Sequence, residues 1–170
     1  MANTYTLIAS NTVGSGGVAS VTFSSIPATY TDLLVKFSIR TSNSNVGQGL
    51  KVTYNGASAY ANRFLEGTGA AVSSGNGTDE FIGDIPGNTA TASTFGNGEL
   101  YMPNYTSSVT KSISIDAVTE NNAATAYQTL TAQSYAITSA ITSMSFASMG
   151  AGSPTLMQYT SFYLYGIKNS

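Results

Sequence analysis

The sequence predicts an all-β protein, an antiparallel β-sandwich with a jelly roll as its expected form. Three observations carry that expectation. Apolar and polar residues alternate with a period of two through most of the chain, the pattern of strands with one buried face. Turn-forming residues, among them three Asn-Gly pairs and 4 prolines, recur at close spacing and break the chain into many short strands. At 170 residues with 42% hydrophobic content, residues 1–170 suit a single domain that buries roughly 70% of its unfolded surface.

Taken in order, the first strand is expected at Tyr5, Leu7 and Ala9, which share one face. Gly14-Ser15-Gly16-Gly17 follows as a hairpin turn. It lacks the Lys-Ser or Lys-Thr of a phosphate-binding loop, and no helix opens after it. Ala19, Val21 and Phe23 mark a second strand. Asp32 to Arg40 is the clearest, with Leu33, Val35, Phe37 and Ile39 on one face and Lys36, Ser38 and Arg40 on the other. Leu50, Val52 and Tyr54 form the next, and Asn55-Gly56 ends it with the positive φ angles of a tight turn.

Strands are also expected near Phe64 and Phe81, although Gly67 to Ala92 is rich in Gly, Ser, Thr and Asn and reads as a long excursion loop with a turn at Asn76-Gly77. Asn97-Gly98 is a third turn, before a strand at Leu100 to Met102. Ser108 to Val118 alternates again, with Val109, Ile113, Ile115 and Ala117 inward. The one stretch with any helical signal is Glu120 to Ala126, where Asn121 or Asn122 would be the N-cap. Further strands fall at Tyr127 to Ala132 and Met144 to Phe146. In Tyr159 to Ile167 neither face is polar, so this strand is expected to be central and covered on both sides, one of them by a neighbouring subunit.

Charge patterning then bounds the function. Only 8% of the residues are charged, where a soluble domain carries about a quarter. Ser, Thr, Asn and Gly replace those charges, giving a polar surface that repels neighbours weakly and suits permanent packing against other subunits. No histidine and no cysteine are present, which removes the commonest general base, nucleophile and transition-metal ligands. A Ser-based triad has no base, and no enzymatic activity is expected. The net charge of −2 and six scattered cations, Lys36, Arg40, Lys51, Arg63, Lys111 and Lys168, argue against nucleic acid or an anionic membrane as partner. No apolar stretch approaches the roughly 20 residues of a membrane span. Met1 to Ser10 has no basic segment followed by an apolar run, so no secretory signal is expected there.

Candidate sites are few. Asp79, Glu80 and Asp84 are the only local acidic cluster; calcium is conceivable there, but the spacing is not that of an EF-hand and a solvated loop is the favoured reading. No cofactor or metal is expected. A glycosidase pair could only be drawn from Glu66, Glu99, Asp116 and Glu120, and sequence places no two of them across a cleft. Asn76-Gly77-Thr78 and Asn104-Tyr105-Thr106 fit the glycosylation pattern by chance in so Asn- and Thr-rich a chain. Tyr101 and Tyr105, flanking Met102-Pro103-Asn104, belong to a candidate contact surface, because exposed tyrosine suits both protein interfaces and carbohydrate stacking. Ala2, Asn3, Thr4 and Tyr5 are the second candidate contact, beside a strand edge able to add a partner strand through main-chain hydrogen bonds.

Three stretches together carry a resemblance. They are Tyr5-Thr6-Leu7-Ile8-Ala9-Ser10 with Ala19 to Pro27 and Tyr30-Thr31-Asp32-Leu33; then Tyr101-Met102-Pro103-Asn104-Tyr105; and Ser161-Phe162-Tyr163-Leu164-Tyr165-Gly166-Ile167. The combination resembles small β-sandwich virion proteins of tailed bacteriophages, of the capsid decoration (cement) or tail-associated type. The resemblance implies a structural protein without catalytic residues. As a decoration protein it would sit on the outer capsid surface, bind the major capsid protein and assemble with itself as a homotrimer. The alternative it leaves open is a tail or baseplate module that recognises host surface polysaccharide.

Overall fold

The computed structural model describes residues 4–57, 60–120, 122 and 125–168. Twelve strands form it: β1 (Tyr5–Thr12), β2 (Ser20–Phe23), β3 (Asp32–Ile39), β4 (Gly47–Tyr54), β5 (Tyr60–Gly67), β6 (Val72–Gly77), β7 (Phe81–Pro86), β8 (Gly96–Met102), β9 (Lys111–Thr119), β10 (Tyr127–Tyr135), β11 (Met144–Ser148) and β12 (Ser161–Ile167). The fold is an all-β antiparallel sandwich. An eight-stranded sheet, ordered β1-β12-β3-β8-β9-β10-β5-β6, packs on a four-stranded one, β2-β11-β4-β7. No helix occurs among the described residues. At Glu120 to Ala126, where a helix had some signal, the described residues are irregular, and Asn121 lies outside them.

The alternation in β3 follows its sequence as far as Ile39, but Arg40, expected on the polar face with Lys36 and Ser38, lies past the strand and is buried. Leu33, Val35, Phe37 and Ile39 are buried against the opposite sheet, while Lys36 is exposed. Across the gap, Phe146 of β11 packs its ring 4.8 Å from Phe162 of β12, and within its own sheet it lies 6.4 Å from Phe23 of β2. A second nucleus lies further along, where Tyr54, Tyr60 and Tyr135 bring their rings within 5.1–5.8 Å of one another. These buried phenols keep hydrogen bonds, as buried polar groups must. Tyr54 donates to Gln133 Oε1 at 2.9 Å, Tyr135 to the Tyr54 carbonyl at 2.7 Å and Tyr60 to the Ala57 carbonyl at 2.8 Å.

Several expectations are corrected. Gly67 to Ala92 is no excursion loop, because it contains β6 and β7. Of the Asn-Gly pairs only Asn55-Gly56 turns the chain, with φ of 51° and 70°. Asn76-Gly77 ends β6 and Asn97-Gly98 lies inside β8. Gly98 is required there for another reason: a Cβ would collide with the Asp116 carbonyl oxygen and the Phe37 ring. Gly14-Ser15-Gly16-Gly17 is a turn, with positive φ at Gly16 and Gly17. It joins β1 to β2 in the other sheet and makes no hairpin. β9 starts at Lys111, leaving Val109 60% exposed outside it.

In β12, Phe162 and Leu164 face the core, while Tyr163 remains 39% exposed on the outer side. The strand is interior to its sheet, yet within one chain it is covered on one face only. Tyr159 lies in the preceding turn at φ 71°, outside the strand.

A buried arginine shapes one end of the sandwich. Arg40, 6% exposed, donates to the carbonyls of Thr91 (2.8 Å), Thr94 (2.9 Å), Ala90 (3.0 Å) and Asn88 (3.3 Å). One guanidinium thereby orders the connection between β7 and β8 that has no ladder of its own. Arg40→Met keeps most of the packing volume but strands those carbonyls. It is expected to destabilise the fold by about 2–3 kcal/mol, read by urea unfolding, with protease cleavage moving into residues 88–94.

Candidate interaction surface

The outer face of the eight-stranded sheet is left uncovered by the four-stranded one. Antiparallel register arranges it in rows. Leu7, Tyr165, Leu34 and Tyr101 stand side by side on β1, β12, β3 and β8. Tyr5 and Ile167 pair in the adjoining row on one side. On the other side runs the row Tyr163, Lys36, Glu99 and Asp116.

Seven of these side chains enclose a shallow depression of about 460 Å³, with Tyr5, Tyr101 and Tyr165 around Leu34 and Ile167, and Lys36 and Glu99 at its edge. Lys36 Nζ and Glu99 Oε2 are 2.5 Å apart; that hydrogen bond, opposed by some desolvation, raises the lysine above its usual range. The Tyr101 ring is held in place by its hydroxyl. Its hydroxyl donates to Asp32 Oδ2 at 2.9 Å, and Asp32, only 4% exposed, also accepts the Asn104 backbone N–H at 3.0 Å. The same bond to the carboxylate, with burial, raises the Tyr101 phenol.

The sequence-predicted contact residues divide on this surface. Tyr5 is 56% exposed and lines the depression opposite Tyr101. Thr4 is exposed just before β1. Ala2 and Asn3 lie outside the described residues. Tyr105 is corrected: it is fully buried, and its hydroxyl donates to the Pro27 carbonyl, so it belongs to the core and cannot touch a partner. Sequence reasoning missed Tyr165, Leu34, Lys36 and Glu99 as members of this patch. Their outward parity was legible, but the strand order β1-β12-β3-β8 that brings them together was not.

No protein-family model, curated protein or solved structure matches this chain.

Beside the patch, β1 forms one edge of the sheet. Edge strands are commonly blunted by lysine, proline, bulges or covering loops. β1, with the sequence YTLIASNT, carries no charge and no proline; its one irregularity is a bulge between Leu7 and Ala9. The opposite wing, β10-β5-β6, inverts the usual pattern. Leu130 (50% exposed) and Leu65 (55%) pair in register on the outer face, with Val72 (83%) close by. Thr129, Thr131, Gln133 and Asn62 face inward and are buried.

The acidic residues do not converge on a cation. Asp79 accepts from Asn62 Nδ2 at 2.6 Å, Glu80 sits 3.5 Å from Lys51, and Asp84 instead contacts Glu66 across the two sheets. Among the described residues no group of three acids could hold a metal ion. Of the carboxylates weighed for glycoside cleavage, Glu99 and Asp116 stand in register on an open sheet face. There Lys36 engages Glu99 and Gln128 donates to Asp116 at 3.2 Å. Glu120 accepts the Asn122 N–H at 2.6 Å.

The Asp84 carboxyl is pushed up to about 7, by burial first and then by the hydrogen bond and charge of Glu66. Tyr127, beside this pair, is raised by burial and by the two acids.

Proposed function

We propose that this chain is a non-enzymatic structural subunit of a tailed-phage virion, a decoration protein that binds the outer capsid surface and clamps neighbouring major capsid proteins. The observation that carries the reading is the open, uncharged edge of β1 continuous with the tyrosine-lined outer face. Such an edge adds a partner strand through main-chain hydrogen bonds, and the exposed Tyr5 and Leu7 bury apolar area as it does so. Self-association into a homotrimer is supported by Leu65, Leu130 and Val72, apolar side chains that a monomer leaves in water.

A jelly-roll origin is part of the same proposal. With the hairpins β5–β6 and β9–β10 set aside, the remaining strands order as β1-β12-β3-β8 and β2-β11-β4-β7. That is the interleaving expected of two wound Greek keys, and the two hairpins then widen one sheet into the outer face.

Retention on purified phage heads tests the contact. Backbone pairing needs few charges, so the wild-type chain is expected to stay bound from about 0.05 to 0.5 M salt. Leu7→Lys puts a charge beside the edge at a site 51% exposed, where it leaves the fold intact by circular dichroism. It is expected to weaken retention at least about tenfold. Undiminished retention of this variant, or release of the wild type by salt alone, would contradict binding through the β1 edge.

A further inference from the structure

The depression between β1, β12, β3 and β8 has a chemistry that protein contact alone does not require. Its walls are three phenol rings, Tyr5, Tyr101 and Tyr165, and its floor is aliphatic, Leu34 and Ile167. Its rim carries one cation and one anion, Lys36 and Glu99, which leave it locally neutral. At about 460 Å³ it falls within the range of small-ligand sites. The ring of Tyr101 is fixed in advance by the buried Asp32 carboxylate, so binding there would sacrifice little side-chain freedom.

We infer that this depression binds neutral pyranose saccharide, one or two sugar rings of a longer chain. A pyranose has an apolar C–H face and a belt of hydroxyls. The first matches the tyrosine rings by stacking. The second matches a paired ammonium and carboxylate, which offer donors and acceptors together at the rim. A peptide occupant would satisfy the rings but has less use for a neutralised ion pair at the edge, and an acidic polymer would meet Asp116 in the same row, whose side-chain partner Gln128 is neutral. The inference does not rest on the capsid reading, because it is argued from the lining of the depression alone.

The test is titration of the intact chain with cellohexaose, maltohexaose, chitohexaose and dextran, followed by calorimetry and by amide chemical shifts. At least one of these neutral probes is expected to bind saturably, with shifts confined to β1, β3, β8 and β12. Tyr5→Ala and Tyr165→Ala should each weaken it about tenfold. Tyr101→Phe, which keeps the ring and loses the tether, should weaken it less than Tyr101→Ala. Tyr163→Ala removes an exposed tyrosine from the same strand outside the depression and should change nothing, which also controls for folding.

Binding by none of the four probes at 10 mM (about 10⁴-fold above a micromolar Kd) would overturn the inference. So would saturable binding unmoved by Tyr5→Ala and Tyr165→Ala. If those two variants instead lower head retention with no saccharide bound, the patch is a protein contact and only the capsid reading survives.

Discussion

Replacing Tyr54 with alanine is expected to destabilise the protein by about 3–5 kcal/mol, the largest effect of any single truncation proposed here. Tyr54 has no exposed surface. Its ring lies 5.1 Å from Tyr135 and 5.8 Å from Tyr60, so its removal opens a cavity between β4 and the β10–β5 wing that rings on both sides cannot close. The hydroxyl matters separately. Tyr54→Phe keeps the ring but leaves Gln133 Oε1 without its donor, in a side chain only 2% exposed. That variant is expected to lose about 1–3 kcal/mol. Urea unfolding of both variants checks the ordering. Equal losses would mean that the hydrogen bond, and not the ring packing, holds this nucleus together.

Stability is also expected to fall as pH rises from about 5 to 8, the reverse of the usual acid lability. Asp84 is pushed from 3.8 to about 7 in the folded chain. Between those values the unfolded chain has released this proton while the folded chain retains it, so each step up in pH favours unfolding. The full shift corresponds to at most about 4 kcal/mol, complete by about pH 8. No histidine contributes to this window.

Asp84→Asn supplies a neutral isostere opposite Glu66. Its melting temperature should change little across the range and exceed the wild type's at pH 8. A wild-type melting temperature that is flat or rising from pH 5 to 8 would contradict the proton held between β5 and β7.

How far the sequence could be read depended on which neighbours a residue answers to. β3 was legible because its alternation is set by a core on one side and water on the other, and Lys36 leaves no doubt which is which. The eleven strand positions named from pattern all proved to be strands. β6 was missed because VSSGNG has neither a β-branched run nor alternation. It is held by β5, with the Phe64 ring lying against the bare backbone of Gly75.

Asn-Gly misled at 97–98 because glycine was read for its φ when the position needs it for close approach of Phe37. Tyr105 misled because a polar-tipped ring beside a turn looks external, whereas the Pro27 carbonyl gives its hydroxyl a partner inside. The Glu66–Asp84 contact and the tyrosine depression were not legible at all. Both are made by strands distant in sequence, and a period-2 pattern fixes the face of a residue without fixing its cross-strand neighbour.

The most direct test of the virion assignment is a cryo-EM reconstruction of the intact particle. Density for this sandwich is expected on the outer capsid surface, in threes at three-fold positions and in hundreds of copies, with the β1 edge turned to the major capsid protein. Density for the chain at the tail tip alone would contradict it.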